Sequence, residues 1–261
     1  MDISVRDLQK VYVTHTGEEV VALQDVSAEV GSGEFVSLVG PSGCGKSTLL
    51  DIVSGLTQRS GGDVTIDGRG VSEGAATRHV GLIFQKPVLL PWRTTFENVY
   101  LPAQLGREPA GRGRGDALRQ RARDLLELVE LGPFAEKYPW ELSGGMQQRV
   151  AIARALLLEA RVMCMDEPFA ALDEFTREQM HLELLNLWHA QGFTAIFVTH
   201  NIFEAVFLSD RVLVMTPRPG KVVAEVEVDL PRPRTSEMIG SDRFGENIRG
   251  VRSVMQEHWV A

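Results

Sequence analysis

The stretch Gly40-Pro41-Ser42-Gly43-Cys44-Gly45-Lys46-Ser47 limits what this chain can fold into more than any other. It follows the apolar run Phe35 to Val39 and precedes Ser47 to Leu56, where apolar residues recur at helical spacing and stop near Gly55. Strand, glycine-rich turn and helix in that order build an anion nest. The glycines let backbone N–H groups converge on a phosphate, and the helix N-terminus adds its partial positive charge. Lys46 is placed to reach β- and γ-phosphates and Ser47 to ligate Mg²⁺. Gly40, Pro41, Ser42, Gly43, Cys44, Gly45, Lys46, Ser47 and Thr48 are therefore candidate nucleotide-binding residues.

A second chemical feature lies further along. Val162-Met163-Cys164-Met165 reads as a buried strand that delivers two adjacent acids, Asp166 and Glu167, at its C-terminal end, where open α/β sheets place their ligands. A lone Asp-Glu pair after a strand is more often a helix cap or a solvated turn. Beside a phosphate loop, Asp166 is placed to hold the Mg²⁺ hydration shell and Glu167 to polarise the water that attacks a γ-phosphate.

Composition removes several classes. The 261 residues, 44% hydrophobic and 24% charged, suit one large α/β domain or two small ones, and one domain with an inserted lobe is expected. The most apolar stretches, Phe193 to Val198 and Val162 to Met165, are far short of the roughly 20 residues a spanning helix needs. The N-terminus lacks a basic start followed by an apolar block, so a cytoplasmic location is expected. A formal net charge of −8 argues against a nucleic-acid surface, which needs clustered Lys and Arg. Cys44 and Cys164 form no CxxC and read as small buried filler in a reducing compartment.

The rest of the chain orders around these motifs. Val5 to Tyr12 and Val20 to Val30 alternate apolar and polar residues about a Gly17-Glu18-Glu19 turn and predict an antiparallel β region. Strands are expected at Val80 to Phe84, Arg161 to Met165, Thr194 to Thr199, Val212 to Met215 and Val222 to Val228, with helices at Glu174 to Gln191 and Ile202 to Leu208. That alternation implies a mainly parallel sheet. Residues 87–141 differ in character and read as an inserted helical lobe. Within it, Gly106 to Gly115 is expected to be a solvated loop, followed by a helix in which Leu118, Leu125, Leu126, Leu128 and Val129 are apolar. The stretch from Thr235 onward predicts helix.

Leu142-Ser143-Gly144-Gly145-Met146-Gln147-Gln148-Arg149 supplies a second glycine-rich helix start, a second anion nest in one chain. It resembles the signature motif of the ABC ATPases, and the order of motifs along nearly the whole chain is similar to that family. Tyr12, Gln85 after its strand, Ala171-Leu172-Asp173 and His200 fall at the family's other positions. Read singly, Tyr12 is a half-buried strand aromatic, Gln85 and Asp173 are solvated turn residues, and His200 is a helix-capping histidine. The resemblance implies a P-loop NTPase (RecA-like) α/β core with an antiparallel β subdomain and an inserted α-helical subdomain. The expected division is residues 1–86 and 142–230 for the core, 87–141 for the helical subdomain and 231–261 for a C-terminal tail.

The resemblance also implies ATP and Mg²⁺ as ligands and a closed head-to-tail homodimer with two ATP molecules at its interface. Tyr12 would stack on adenine, and Ser143, Gly144 and Gly145 would meet the partner's γ-phosphate. His200 would contact the γ-phosphate and attacking water, Gln85 would sense Mg²⁺ and water, and Asp173 would link the two sites. Separate membrane permease subunits and an external solute-binding protein are expected as partners, with the chain peripheral on the inner membrane face. Gln85 to Val99 and the segment Val228-Asp229-Leu230-Pro231-Arg232-Pro233-Arg234 look like the nitrate, sulfonate and taurine importer ATPases. Read without that likeness, Trp92 is a hydrophobic anchor of the lobe, and Arg232 and Arg234 belong to a solvated connector. Importers of other organic solutes, such as pyrimidine precursors, and non-transport ABC ATPases are the alternatives.

Overall fold

The computed structural model describes residues 1–72, 79–105, 112–157 and 159–259. Two long strands open the chain, β1 (Ile3–Val13) and β2 (Glu19–Val30), followed by β3 (Phe35–Val39) and helix α1 (Lys46–Val53). Strands β4 (Gly61–Ile66), β5 (Arg69–Gly70) and β6 (Val80–Ile83) come next. Then come helices α2 (Thr95–Leu105), α3 (Arg112–Leu128) and α4 (Gly144–Leu156), and strand β7 (Val162–Asp166). The remainder is α5 (Glu174–Gln191), β8 (Thr194–Val198), α6 (Ile202–Leu208), β9 (Arg211–Met215), β10 (Val222–Glu227) and α7 (Asp242–Trp259).

Two sheets result. A four-stranded sheet runs β2-β1-β4-β5 with antiparallel pairing, and a six-stranded sheet runs β10-β9-β3-β8-β7-β6. Within the larger sheet every neighbour pair is parallel except β9 with β10, which form a hairpin. The expected mainly parallel sheet with a separate antiparallel region is what forms.

The side-chain period of two explains the layers. On β3, β7 and β8, Phe35, Val39, Met163, Met165, Ala195 and Phe197 face one core, which α3 to α7 cover. Their alternates Val36, Leu38, Val162, Cys164, Ile196 and Val198 face a second core shared with α1 and the antiparallel sheet. Strands buried on both faces read as continuous apolar runs, which is why these segments were legible as strands.

Helix α2 has a sequence-local origin that periodicity did not reveal. Thr94 Oγ1 accepts from the Glu97 amide at 3.2 Å and the Glu97 carboxylate accepts from the Thr94 amide at 2.9 Å, a reciprocal cap. Buried Asn98 bonds the Leu90 amide and the carbonyls of Leu90, Arg93 and Thr94, folding residues 90–94 back onto the helix.

Several expectations need correction. Residues 112–115 already form the first turn of α3; the rest of the expected loop, 106–111, lies outside the described residues. On α3, Ala122, Leu125 and Leu126 are buried, with Val129 just past its end, whereas Leu128 falls on the opposite side and is exposed. Trp92 is 70% exposed and anchors nothing in the lobe. Arg232 and Arg234 are not a solvated connector. Arg234 is buried and donates to the Ser209 carbonyl at 3.0 Å. Arg232 pairs with Asp210 at 2.8 Å and lies over the Trp188 ring at 4.4 Å. Beyond them a short 3₁₀ turn, Ser236–Gly240, precedes α7, whose Trp259 indole donates to the Met215 carbonyl at 2.9 Å.

Candidate functional site

Sheet order decides which loops meet. Strand β8 lies between β3 and β7, and all three run parallel, so their C-terminal ends bring Gly40–Lys46, Asp166–Glu167 and Thr199–His200 side by side. Nothing in the spacing of the motifs along the chain fixes this row.

The loop after β3 wraps its own lysine. Lys46 Nζ donates to the carbonyls of Gly40 at 2.8 Å and Pro41 at 3.0 Å, and the side chain is buried. Gly45 takes φ 102°, a left-handed conformation in which any Cβ would also stand 2.7 Å from Leu23. Cys44 is buried against the Gly40 backbone and is free, as is Cys164. Helix α1 ends at Val53, short of the expected Leu56, because the amides of Leu56 and Thr57 turn back to the Asp51 carbonyl.

At the end of β7, burial pushes the Asp166 carboxyl above its ordinary range. The Ser47 hydroxyl pulls it back, neighbouring Glu167 pushes it up again, and Lys46 opposes that. Burial likewise raises Asp51, one helical turn beyond Ser47, with Asp166 adding to the effect. A hydroxyl beside a carboxylate that is costly to ionise unaided suits a small hard cation, because Mg²⁺ takes oxygen donors and is commonly held by one or two carboxylates plus phosphate.

Glu167 is held in an unusual shape. Its φ is 44°, a region that disfavours non-glycine residues, and its amide donates to the Val198 carbonyl at 2.9 Å. That geometry aims the carboxylate across to the end of β8, where His200 Nδ1 lies 3.0 Å from Glu167 Oε2. His200 does not cap a helix. Asn201 caps α6 instead, its Oδ1 accepting from the Phe203 amide at 2.9 Å.

A cleft of about 330 Å³ lies over the phosphate loop, lined among others by Tyr12, Ser42, Lys46, Thr48, Glu167 and Arg218. Tyr12, 40% exposed, sits on β1 opposite Val20, with Lys10 Nζ 4.6 Å from its ring centroid. No local sequence signal marks Arg218 as a site residue. It stands in the turn Pro217-Arg218-Pro219-Gly220 between β9 and β10, and its guanidinium donates to the Gly43 carbonyl at 3.4 Å. The Pro-Arg-Pro-Gly run signals a turn, but only the docking of that turn against the loop gives the arginine a site.

The second nest is apart from this cleft. Ser143 caps α4, its hydroxyl accepting from the Met146 amide at 3.3 Å, and Ser143 and Gly144 are exposed while Gly145 is buried. A Cβ on Gly145 would meet Thr176 at 2.9 Å, so this helix start packs closely on the start of α5. Asp173 caps α5, accepting from the Thr176 amide at 3.0 Å, and that bond holds its carboxyl below the usual range. Gln85 is exposed after β6. The chain around it is gripped by α4: Arg154 donates to the carbonyls of Pro87 at 2.9 Å and Val88 at 2.8 Å, and Gln148 reaches the Phe84 carbonyl at 3.5 Å.

A phosphate loop, a strained carboxylate paired with a histidine and an order with one strand between β3 and β7 together define a P-loop nucleotide hydrolase. A family model described as ABC transporter matches residues 23–170, and the chain belongs to that family. It is 47% identical to the taurine import ATP-binding protein of Rhizobium johnstonii, over 94% of this chain and 92% of that one. Its identity to an aliphatic sulfonates import ATP-binding protein of Bacillus cereus is 41%, over 94% and 92%. Among solved structures, a dimeric ATP-binding cassette in a post-hydrolysis state with ADP and Pi matches with a TM-score of 0.75 at 34% identity. That match covers 88% of this chain and all of that one.

Proposed function

We propose that this chain is the ATP-hydrolysing subunit of an importer of small anionic solutes of the sulfonate, taurine or nitrate class. The observation that carries the hydrolytic part is the Glu167–His200 pair, 3.0 Å apart, at the strand ends beside the phosphate loop. The solute class is supported by the taurine and sulfonate importers to which the chain is similar over nearly its whole length.

In this reading Tyr12 stacks on adenine and the amides of residues 40–48 bind the phosphates. Lys46 exchanges its neutral carbonyl partners for phosphate oxygens, a gain because the ammonium then meets an anionic acceptor. Ser47 and Asp166 would hold Mg²⁺, with Gln85 as a further candidate, and the ion would neutralise charge on the phosphates. Glu167 accepts a proton from water as its oxygen bonds to the γ-phosphorus and the bond to the β-phosphate oxygen breaks. His200 keeps the Glu167 carboxylate aimed and steadies the departing phosphate.

Ser143, Gly144 and Gly145 form a nest that needs an anion from elsewhere, and a second copy arranged head to tail supplies it. Asp173 lies at that junction. Closure on ATP and opening after hydrolysis then become motion passed to separate membrane permease subunits, with residues 87–141 as the contacting lobe and a solute-binding protein outside. No helix among the described residues is long and apolar enough to cross a membrane.

The test is ATP hydrolysis by the chain reconstituted with candidate permease and binding protein, with taurine, alkanesulfonates and nitrate supplied in turn. Stimulation by one solute is the expected result. Intact basal hydrolysis with no stimulation by any of them sinks the anion class and leaves the hydrolase. Glu167→Gln is expected to lower kcat by at least about 100-fold while ATP still binds; undiminished turnover removes Glu167 from the chemistry.

A further inference from the structure

We propose that Glu204 is a positioning residue that ties the loop bearing His200 to the turn bearing Asp173, so that one buried carboxylate sets both. The proposal rests on the head-to-tail reading above, in which His200 faces a γ-phosphate and Asp173 lies at the junction of the two copies.

Glu204 sits in the first turn of α6 and is 5% exposed. A carboxylate so buried is costly unless every oxygen is partnered, so the identity of its partners is informative. One oxygen accepts from Thr199 Oγ1 at 2.5 Å. The same Thr199 oxygen accepts the Asn201 amide at 3.0 Å, so a single hydroxyl fixes the residues on both sides of His200. The other oxygen faces His181 Nε2 at 3.3 Å and Arg177 Nε at 3.7 Å.

Arg177 carries the connection onward. Its guanidinium donates to the Phe169 carbonyl at 3.3 Å and the Leu172 carbonyl at 2.6 Å, which bracket the turn leading into Asp173. His181 supports the same turn, its ring edge-on to Phe169 with centroids 5.2 Å apart. The path therefore runs from His200 through Thr199, Glu204 and Arg177 to the backbone just before Asp173. A cavity of about 30 Å³ between the two loops, lined by Glu167, Ala170, Arg177, Thr199, His200 and Glu204, leaves room for no more than a water. Burial pulls the Glu204 carboxyl up, but His181, Thr199 and Arg177 outweigh it and hold it below the ordinary carboxylate range.

The experiment is steady-state ATP hydrolysis against ATP concentration for the full chain, comparing wild type with T199V, R177Q, their double variant and E204Q, alongside each melting temperature. Each single change is expected to lower kcat about tenfold with the ATP KM within about threefold, because Tyr12 and the phosphate loop are untouched. The double variant is expected to lose no more than the worse single, since both break one path. A double variant whose loss is the product of the two single losses overturns the proposal, as does E204Q with kcat within about twofold of wild type. A parallel rise in KM and drop in melting temperature marks general loosening and also overturns it. Should E204Q fail to fold, the cycle of T199V and R177Q decides alone. The underlying reading fails in a different way: wild type and Glu167→Gln then hydrolyse equally fast, and both claims fall.

Discussion

Arg218 is the residue whose role depends most on its surroundings. The turn that carries it brings a guanidinium to the rim of the nucleotide cleft, touching the Gly43 carbonyl. A planar, permanently charged donor there favours a polyanion without touching Glu167 or His200. Arg218→Ala is expected to raise the ATP KM about three- to tenfold with kcat nearly unchanged, read from steady-state kinetics. Cys164 gives a second expectation: burial, reinforced by Asp51, pushes its thiol up to about 12, so it stays protonated and inert at neutral pH. Cys44 is shielded by burial against Gly40. A thiol-reactive dye at pH 8 is expected to label neither cysteine in the folded chain and both in denaturant; fast native labelling sinks their assignment as filler. The glycine-rich loop before α1 and the Asp166-Glu167 pair are legible in the sequence because each is a set of fixed residue types at fixed local spacing. Arg218, Arg177, His181 and Glu204 are not, because each acquires its partner from a distant segment.

At the scale of elements, the strands were readable because a doubly buried strand must be apolar throughout, and β3, β7 and β8 are. Strands β4 and β5 escaped notice: Gly61, Gly62, Gly68 and Gly70 interrupt any alternation there. The burial of the tail arginines is hidden for a comparable reason, since Pro-Arg-Pro-Arg carries no periodicity and only the packing against Trp188 and the carbonyls ending α6 buries it. The β9–β10 hairpin offers an element-level test. Its Gly220 donates to the Ala22 carbonyl at 3.0 Å, and a Cβ there would lie 2.0 Å from the Cys44 carbonyl oxygen. Gly220→Ala therefore cannot be absorbed by a side-chain rotation, and the hairpin must withdraw from the phosphate loop. The expected result is a loss of about 1–3 kcal/mol in denaturant melts together with a weaker ATP KM. A variant with wild-type stability and KM refutes the docking of the hairpin.

For the whole molecule, the two cores on opposite faces of one sheet predict cooperative unfolding in which a buried ion network leaves its mark on acid stability. Glu204 has its carboxyl held below the ordinary 4.5 in the folded chain. A depressed folded value means that its stabilisation is present above the unfolded value and is lost as pH falls through the folded one. Thermal melts taken from neutral pH down to about pH 3.5 are expected to fall less steeply for Glu204→Gln than for wild type; identical slopes refute the assignment. By itself the sequence determined the phosphate loop, the acid pair, the second nest and the strand-helix alternation, because local chemistry and side-chain period are written residue by residue. Tertiary structure alone decided that β8 comes between β3 and β7, and with it that Glu167 meets His200, that Arg218 reaches the cleft and that Glu204 joins two loops. Strand order and loop docking depend on which faces bury together across the chain, and linear spacing carries no record of that.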